Sequence, residues 1–258
     1  MTRGAAGPLF GKRVLITRAR DDAATFAAKL LEAGAVPVLA PAIAIEPPDD
    51  PAAAAAAVRE RERYDWIVFT SARGVEAWFA ALDANGDAPG LDRPKIAAIG
   101  PKTAEPLGAR GLHAAYVPEE AVGEAVAEGL LARTHAGERV LVFGAQEMRD
   151  VVPATLRARG RIVDAVAAYK TTYVRDAAMA RAAETTDVWT FTSASTVRAF
   201  AANVPGAAAL ARAKTVACIG PITAAAARAC GLEPDIVAGE FSVEGLVEAL
   251  KAAASPAP

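Results

Sequence analysis

Two stretches, DWIVFTSARGVEAWFAAL (residues 65–82) and DVWTFTSASTVRAFAANV (residues 187–204), spell Phe-Thr-Ser-Ala between a short apolar run and a helix-like segment. The run before each word is continuous rather than alternating, which is the pattern of a strand covered on both faces in a parallel sheet. Two further words repeat in the same order. GKRVL (11–15) answers GERVL (137–141), and IGPKTAEPLGARGL (99–112) answers IGPITAAAARACGL (219–232), with eight of fourteen positions identical in the latter pair. The offset drifts only from 126 to 120, as loop insertions and deletions produce, so the chain reads as an internal duplication of two halves.

Each half alternates strand-like and helix-like segments. RVLIT (13–17) reads as a buried strand, and AATFAAKLLEAG (23–34) as a helix with Asp21 and Asp22 as N-cap candidates, Phe26, Leu30 and Leu31 on one face, and Gly34 as its stop. Then follow helix 52–63, strand 66–71, helix 74–82, strand 95–100, helix 103–111, strand AAYVP (114–118) and helix 121–133, and the plan starts again at Arg139. In the helix after Ile99, Thr103 is expected at the N-cap, which makes Pro106 the third residue and costs no hydrogen bond. The fold class is α/β, with two similar doubly wound parallel-sheet, flavodoxin-like domains. APAIAIEPPDDP (40–51) and DAVAAYKTTYV (164–174) run longer than buried strands, and Pro41, Pro47 and Pro48 argue against a central one. They read as connectors, at about 41–47 and 166–173. Two consecutive lobes split near residue 135 fit the repeat as well as a crossed pair, in which 1–40 join 173–258 and 41–172 form the other domain.

Composition removes several classes of function. With 28 Lys plus Arg against 30 Asp plus Glu, the chain lacks the basic excess of a nucleic-acid binder. Cys218, Cys230, His113 and His135 have no metal-ligand spacing, so no metal is expected, and this cysteine usage fits a reducing compartment. No stretch approaches the about 20 apolar residues of a membrane span, and MTRGAAGPLFGKR lacks the apolar core of a secretory signal. A soluble, cytoplasmic protein with no membrane partner is expected. Neither Gly-x-Gly-x-x-Gly after a strand, nor a phosphate-binding loop, nor a Gly-x-Ser-x-Gly elbow occurs. A two-lobed glycosyltransferase would share the architecture but needs a nucleotide-binding glycine loop. The residues point instead to a site without cofactor that holds and shapes its substrate.

In open parallel sheets ligands bind beyond the carboxyl ends of the strands. The repeated words fall there: Thr70 to Arg73, Gly100 to Thr103, Thr192 to Ser195 and Gly220 to Thr223. Each hydroxyl can cap the helix that follows; as a set, helix starts rimmed with Ser and Thr bind anions. Tyr169, on the second connector, is either packed at an interface or presented as a neutral phenol donor.

RVLITRA, PAIAIEP, IVFTSARGVEAW, IAAIGPKTA, VLVFGAQEMRDVVPATLRARG, VAAYKTTYV, TFTSASTVRAF and ACIGPITAAAARACGL, in this order, resemble the uroporphyrinogen-III synthase family from about residue 11 to 250. The resemblance implies two α/β domains joined by two connecting strands, the chain crossing over and back, with both sets of strand ends turned to a shared cleft. It implies a cyclising lyase that takes hydroxymethylbilane, a linear tetrapyrrole with eight carboxylates, and closes it with loss of water and inversion of the last ring. Unaided, the linear molecule closes without inversion, so orientation has to supply the selectivity.

Carried over by position, Tyr169 matches the tyrosine that assists departure of the hydroxyl. Ser71 and Ser193 match the strand-end serines, and Thr103 and Thr223 the threonines of the two Ile-Gly-Pro loops. Arg18, Thr70, Lys102, Gly144, Gln146, Thr192 and Pro221 complete the implied substrate-binding set, with Arg73, Arg149 and Lys170 as further charge partners. Helix-start N–H groups explain how a mildly acidic chain binds a polyanion. Both serine loops read Thr-Ser-Ala where the family often has a proline after the serine, and Ile222 stands between Pro221 and Thr223. A monomer that receives its substrate from hydroxymethylbilane synthase is implied; the alternative is a non-catalytic tetrapyrrole-binding or regulatory protein of the same fold.

Overall fold

The computed structural model describes residues 7–88 and 90–254. The chain forms two compact units, one taking in the chain up to Ala44 and from Thr172 onward, the other Ile45–Thr171. The first unit begins with β1 (Arg13–Ile16), α1 (Arg20–Glu32) and β2 (Val36–Leu39). Through β3 (Ile43–Glu46) the chain enters the second unit, which holds α2 (Pro51–Arg59), β4 (Trp66–Phe69), α3 (Ala72–Asn85), β5 (Lys95–Ala98), α4 (Pro101–Ala109), α5 (Gly123–Leu131), β6 (Arg139–Ala145), α6 (Val151–Arg157) and β7 (Ile162–Tyr173). Past β7 the first unit resumes with α7 (Ala177–Thr185), β8 (Val188–Phe191), α8 (Ala194–Asn203), α9 (Ala207–Ala211), β9 (Thr215–Cys218), α10 (Pro221–Ala229), β10 (Ile236–Val237) and α11 (Val243–Ala254).

Each unit is built on one five-stranded sheet, in the orders β10-β9-β8-β1-β2 and β3-β7-β6-β4-β5. The ladders of β1 with β2 and β8, of β9 with β8 and β10, of β4 with β5 and β6, and of β6 with β7 are parallel. The repeated words occupy matching places: the Arg-Val-Leu strand (β1, β6) is paired with the Phe-Thr-Ser-Ala strand (β8, β4), which is paired with the Ile-Gly strand (β9, β5). All four residues of β4 and of β8 are buried, and the one polar side chain among them, Thr190, donates to the Leu15 carbonyl at 2.6 Å. In the second unit Trp78 of α3 stands edge-on to Phe69 and Phe143, and Val126, Leu130 and Leu156 of α5 and α6 cover the other face. β3 takes the sheet edge, where Pro47 and Pro48 end it without breaking a ladder.

Several local expectations are corrected. Thr103 is not the N-cap of α4: the helix starts at Pro101 on the extended Gly100, and Pro106 lies inside it. A proline at the first helical position has no N–H to lose and the right φ already set, which favours the earlier start. Asp21 and Asp22 likewise do not cap α1; Ala19 holds that position and the two acids sit in the first turn, at the positive end of the helix dipole. Residues 114–118 form no full strand but a single parallel bridge, Tyr116 to Ala97, in which the Tyr116 N–H donates to the Ile96 carbonyl and its carbonyl accepts from the Ala98 N–H, while its hydroxyl donates to the Ala125 carbonyl. Among the described residues no helix is long and apolar enough to cross a membrane.

Candidate functional site

In the second unit, three strands, β4, β6 and β7, bring their carboxyl ends together around one phenol. Ser71 follows β4 and caps α3, its Oγ accepting from the Gly74 N–H at 3.1 Å. The Tyr169 hydroxyl donates to the same Ser71 Oγ, also at 3.1 Å. Plain alternation along β7 would not allow this. Asp164, Val166 and Ala168 face α3, because Val166 and Ala168 pack with Trp78 and Phe143 and Asp164 reaches Tyr64, whereas Val163 packs on the α5 and α6 side. Residue 169 should then join Val163. A bulge reverses it: Gly144 pairs with Ala167 but Ala145 pairs with Tyr169, so Ala168 is the extra residue and Tyr169 returns to the α3 face.

The phenol borders a cavity of about 290 Å³ whose wall combines the hydroxyls of Thr70, Ser71 and Tyr169 with apolar Ile99, Met148, Val151 and Val152, and with Glu147 and Arg149 at its polar side. Gly144 leaves room beneath it, since a β-carbon there would displace the Thr70 hydroxyl. Charged groups around the site are paired. Lys170 Nζ lies 2.8 Å from Asp49 Oδ1 and 3.9 Å from Glu46. Gln146 grips Asp49 twice, its Nε2 donating to Oδ2 at 2.6 Å and its Oε1 accepting from the Asp49 N–H at 2.9 Å. The hydrogen bonds from Lys170 and Gln146 hold the Asp49 carboxyl below the usual carboxylate range, and Asp49 in turn raises Lys170. Arg149 makes a two-pronged pair with Glu124 at 3.0 Å on each prong. The Glu124 carboxyl is lowered by its own backbone N–H and by Arg149.

The first unit has its own row of strand-end hydroxyls. Ser193 caps α8, accepting from the Thr196 N–H at 3.2 Å, while Thr196 Oγ1 accepts from the Ser193 N–H at 3.3 Å. The Ser193 and Ser195 hydroxyls are 2.9 Å apart. A larger cavity of about 680 Å³ opens in this unit among Lys12, Asp187, Arg212 and Thr215. It lies at the amino ends of the strands, the end at which parallel sheets do not bind ligands, so its size does not make it the candidate.

Comparison with known proteins gives the family of the chain. Residues 24–248 match the family described as HEM4: Uroporphyrinogen-III synthase HemD. The chain is 32% identical to the uroporphyrinogen-III synthase of Synechococcus elongatus over 95% of its own length and 96% of that protein. The chain belongs to the uroporphyrinogen-III synthase family. It is also 32% identical to the porphyrin biosynthesis protein HemD of Ruminiclostridium josui, of which it spans about half, 49% of the length. In fold it is similar to a mutant uroporphyrinogen III synthase of Thermus thermophilus, with a TM-score of 0.69 and 21% identity, covering 94% of this chain and 98% of that one. A uroporphyrinogen-III synthetase structure from Helicobacter pylori gives a TM-score of 0.56 at 17% identity, covering 93% and 97%.

Of the residues that the resemblance to uroporphyrinogen-III synthases implied, Tyr169, Ser71, Thr70 and Gly144 meet at one place. Thr103 and Thr223 do not stand open at a rim: at 5% and 4% exposure they are buried three residues into α4 and α10. Lys102 and Pro221 are exposed in the first turns of those helices. Gln146 is engaged with Asp49, and Arg18 lies 3.8 Å from Asp22. Thr192 and Ser193 are half-buried beside Ser195. Asp49, Glu124 and Met148 were missed. For Asp49 a signal existed: in Pro-Pro-Asp-Asp only one acid can cap α2, and Asp50 does so by accepting from the Ala53 N–H.

Proposed function

We infer that the chain is a uroporphyrinogen-III synthase, a lyase that removes water from hydroxymethylbilane and closes it with the last pyrrole ring inverted. The observation that carries this reading is the Tyr169 hydroxyl, turned by the bulge toward Ser71 and into a cavity of mixed hydroxyl and apolar lining. In the reaction, the C–O bond of the terminal hydroxymethyl group breaks as the first ring's nitrogen pushes in electrons, and the hydroxyl leaves as water. Tyr169 swings its O–H from Ser71 to that departing oxygen. Ser71, still accepting from the Gly74 N–H, has a proton of its own to offer the phenol oxygen at that moment. The substituted carbon of the last ring then attacks the electrophilic methylene, and the spiro intermediate opens and recloses to the type III isomer. Enclosure and orientation do most of the work.

The substrate's carboxylates are assigned to helix starts: Thr70 and Ser71 at α3, Lys102 and Thr103 at α4, Thr192 and Ser193 at α8, Pro221 and Thr223 at α10, with Arg18 as a further cation. Buried Thr103 and Thr223 serve there by shaping the turn, so that backbone N–H groups make the contact. A cytoplasmic monomer that takes its unstable substrate from hydroxymethylbilane synthase fits this chemistry, and the matched strand orders of the two sheets support descent from one duplicated half. The deciding experiment supplies freshly made hydroxymethylbilane, oxidises the product and separates the porphyrin isomers. Predominant type III is expected; type I alone, as in a blank, would sink the reading and leave a binding protein of this fold.

A further inference from the structure

β6 ends at Ala145, yet β7 runs on, and the first residue beyond the last ladder pair is the one after Tyr169. What replaces the missing strand is a set of groups from two loops. The Gln146 N–H donates to the Tyr169 carbonyl at 2.7 Å, and the Thr171 N–H donates to Glu147 Oε2 at 3.3 Å. The Gln146 side chain is locked in turn on Asp49, whose other oxygen takes the ammonium of Lys170, the residue next to Tyr169. Tyr169 is thereby bracketed, through its own carbonyl on one side and its neighbour's side chain on the other, and both brackets close on a single carboxylate. That carboxylate is itself fixed, because Pro48 before it is buried and Asp50 after it caps α2.

We propose that Asp49 is a positioning residue for Tyr169: it clamps the strand end past the bulge so that the phenol keeps its aim. The role of Tyr169 rests on the proposed reaction; the clamp itself does not. Asp49 is 69% exposed by side chain, so its removal should leave the fold intact. Misplacing a reacting group by about 1 Å can cost up to about a hundredfold in rate, and loosening rather than losing the phenol should cost about tenfold.

Three proteins test it: Asp49→Ala, Tyr169→Phe and the double variant, assayed for kcat and KM of type III formation. Asp49→Ala should lower kcat about tenfold with KM within twofold, while in the Tyr169→Phe background the same change should cost less than twofold. Asp49→Asn, which keeps the shape and part of the grip on Gln146, should recover part of the loss. An equal fall in both backgrounds, or wild-type kcat in Asp49→Ala, would overturn the assignment. Amide hydrogen exchange reads the clamp without reference to turnover. Exchange at Gln146 and Thr171 should quicken at least about tenfold in Asp49→Ala; unchanged exchange would overturn the clamp even in an active enzyme. Should the wild type form only the type I isomer, the proposed reaction falls, and exchange alone decides whether Asp49 holds the Tyr169 segment.

Discussion

Ser71 and Ser193 follow matching strands, cap matching helices and sit in the same three-residue word, yet their hydroxyls are used differently. Ser193 spends its hydrogen bonds locally, on the Thr196 N–H and on the Ser195 hydroxyl, inside a closed capping box. Ser71 caps with one lone pair and takes the Tyr169 phenol with another. The second and third helical residues differ: Ser195 and Thr196 in the first unit stand where the second has Arg73 and Gly74. Thr196 closes the box in the first unit, whereas Gly74 in the second has no side chain to do so, and a β-carbon there would come within 3.2 Å of the Phe143 carbonyl oxygen and 3.3 Å of Ser71 Oγ. These two neighbours separate a serine that only holds a helix from one left open to another strand.

The largest effect should come from the phenol itself. Tyr169→Phe is expected to cut kcat by about 10²–10⁴-fold, the usual worth of a positioned proton donor, with unchanged melting temperature and nearly unchanged binding. Ser193→Ala should do the converse, costing about 1 kcal/mol of stability as a lost N-cap and at most a few-fold in turnover. A Ser193→Ala enzyme as crippled as Tyr169→Phe would erase the distinction between the two serines.

Exchanging the third residues sharpens it. Gly74→Thr should cost about 1–3 kcal/mol through overpacking and, by drawing Ser71 into a box, lower kcat roughly tenfold. Thr196→Gly should destabilise α8 by about 1 kcal/mol without raising turnover, because no phenol waits beside Ser193. Urea melts and isomer assays on the pair separate the outcomes; Gly74→Thr with normal turnover would show that Ser71 matters only as a cap.

The two units also differ in how they meet alkali. In the second, burial pushes the Tyr64 phenol up to about 12, where it bonds Arg63 and Asp164. The matching residue in the first is Thr186, whose hydroxyl donates to the Ala182 carbonyl and does not titrate. The first unit instead buries Cys218, whose thiol is raised to about 11. For both groups the folded state favours the neutral form, so the stabilisation is complete below the unfolded value and is lost as pH rises through the folded one. The first unit should therefore loosen from about pH 9 to 11 and the second from about pH 10 to 12, each by about 1–3 kcal/mol. Hydrogen exchange resolved by unit checks this: Cys218→Ala should remove the lower window and Tyr64→Phe the upper. Identical windows in the variants would refute the assignment.

Strand runs, turn words and their repetition are local in the chain, which is why the strands and the positions of Ser71 and Ser193 are legible in the sequence, whereas the repeat alone left open whether the lobes are consecutive or crossed, and each sheet draws strands from both halves. The orientation of Tyr169 was not. Alternation assigns it to the face of Val163, and only the register between β6 and β7 reveals the extra Ala168. The Asp49 network was hidden for a related reason, because it joins residues 97 and 121 positions apart that meet only when β7 lies beside both β3 and β6. Residues 114–118 differ the other way: their composition suits a strand, but their pairing with β5 stops after one bridge at Tyr116.

The charges around the cavity complete the contrast, since Arg149 and Lys170, counted from the sequence as partners for the substrate, each hold a carboxylate of the chain. Their roles need not be alike. Lys170 lies against a carboxylate gripped by Gln146 and flanked by a capping residue, so removing that carboxylate disturbs the backbone around Tyr169. Arg149 and Glu124 are both largely exposed, at 68% and 52%, and beyond Arg149 the Glu124 carboxyl meets only its own backbone N–H in the first turn of α5 among the described residues. An exposed pair adds little to stability but competes with any incoming carboxylate for the same guanidinium fork. Glu124→Gln should accordingly leave melting and kcat unchanged while lowering KM by about two- to threefold, more at low salt than at high. A rise in KM would mean that Glu124 orients Arg149 for the substrate rather than masking it, and a fall in kcat would place the pair with Asp49, among the groups that aim the phenol.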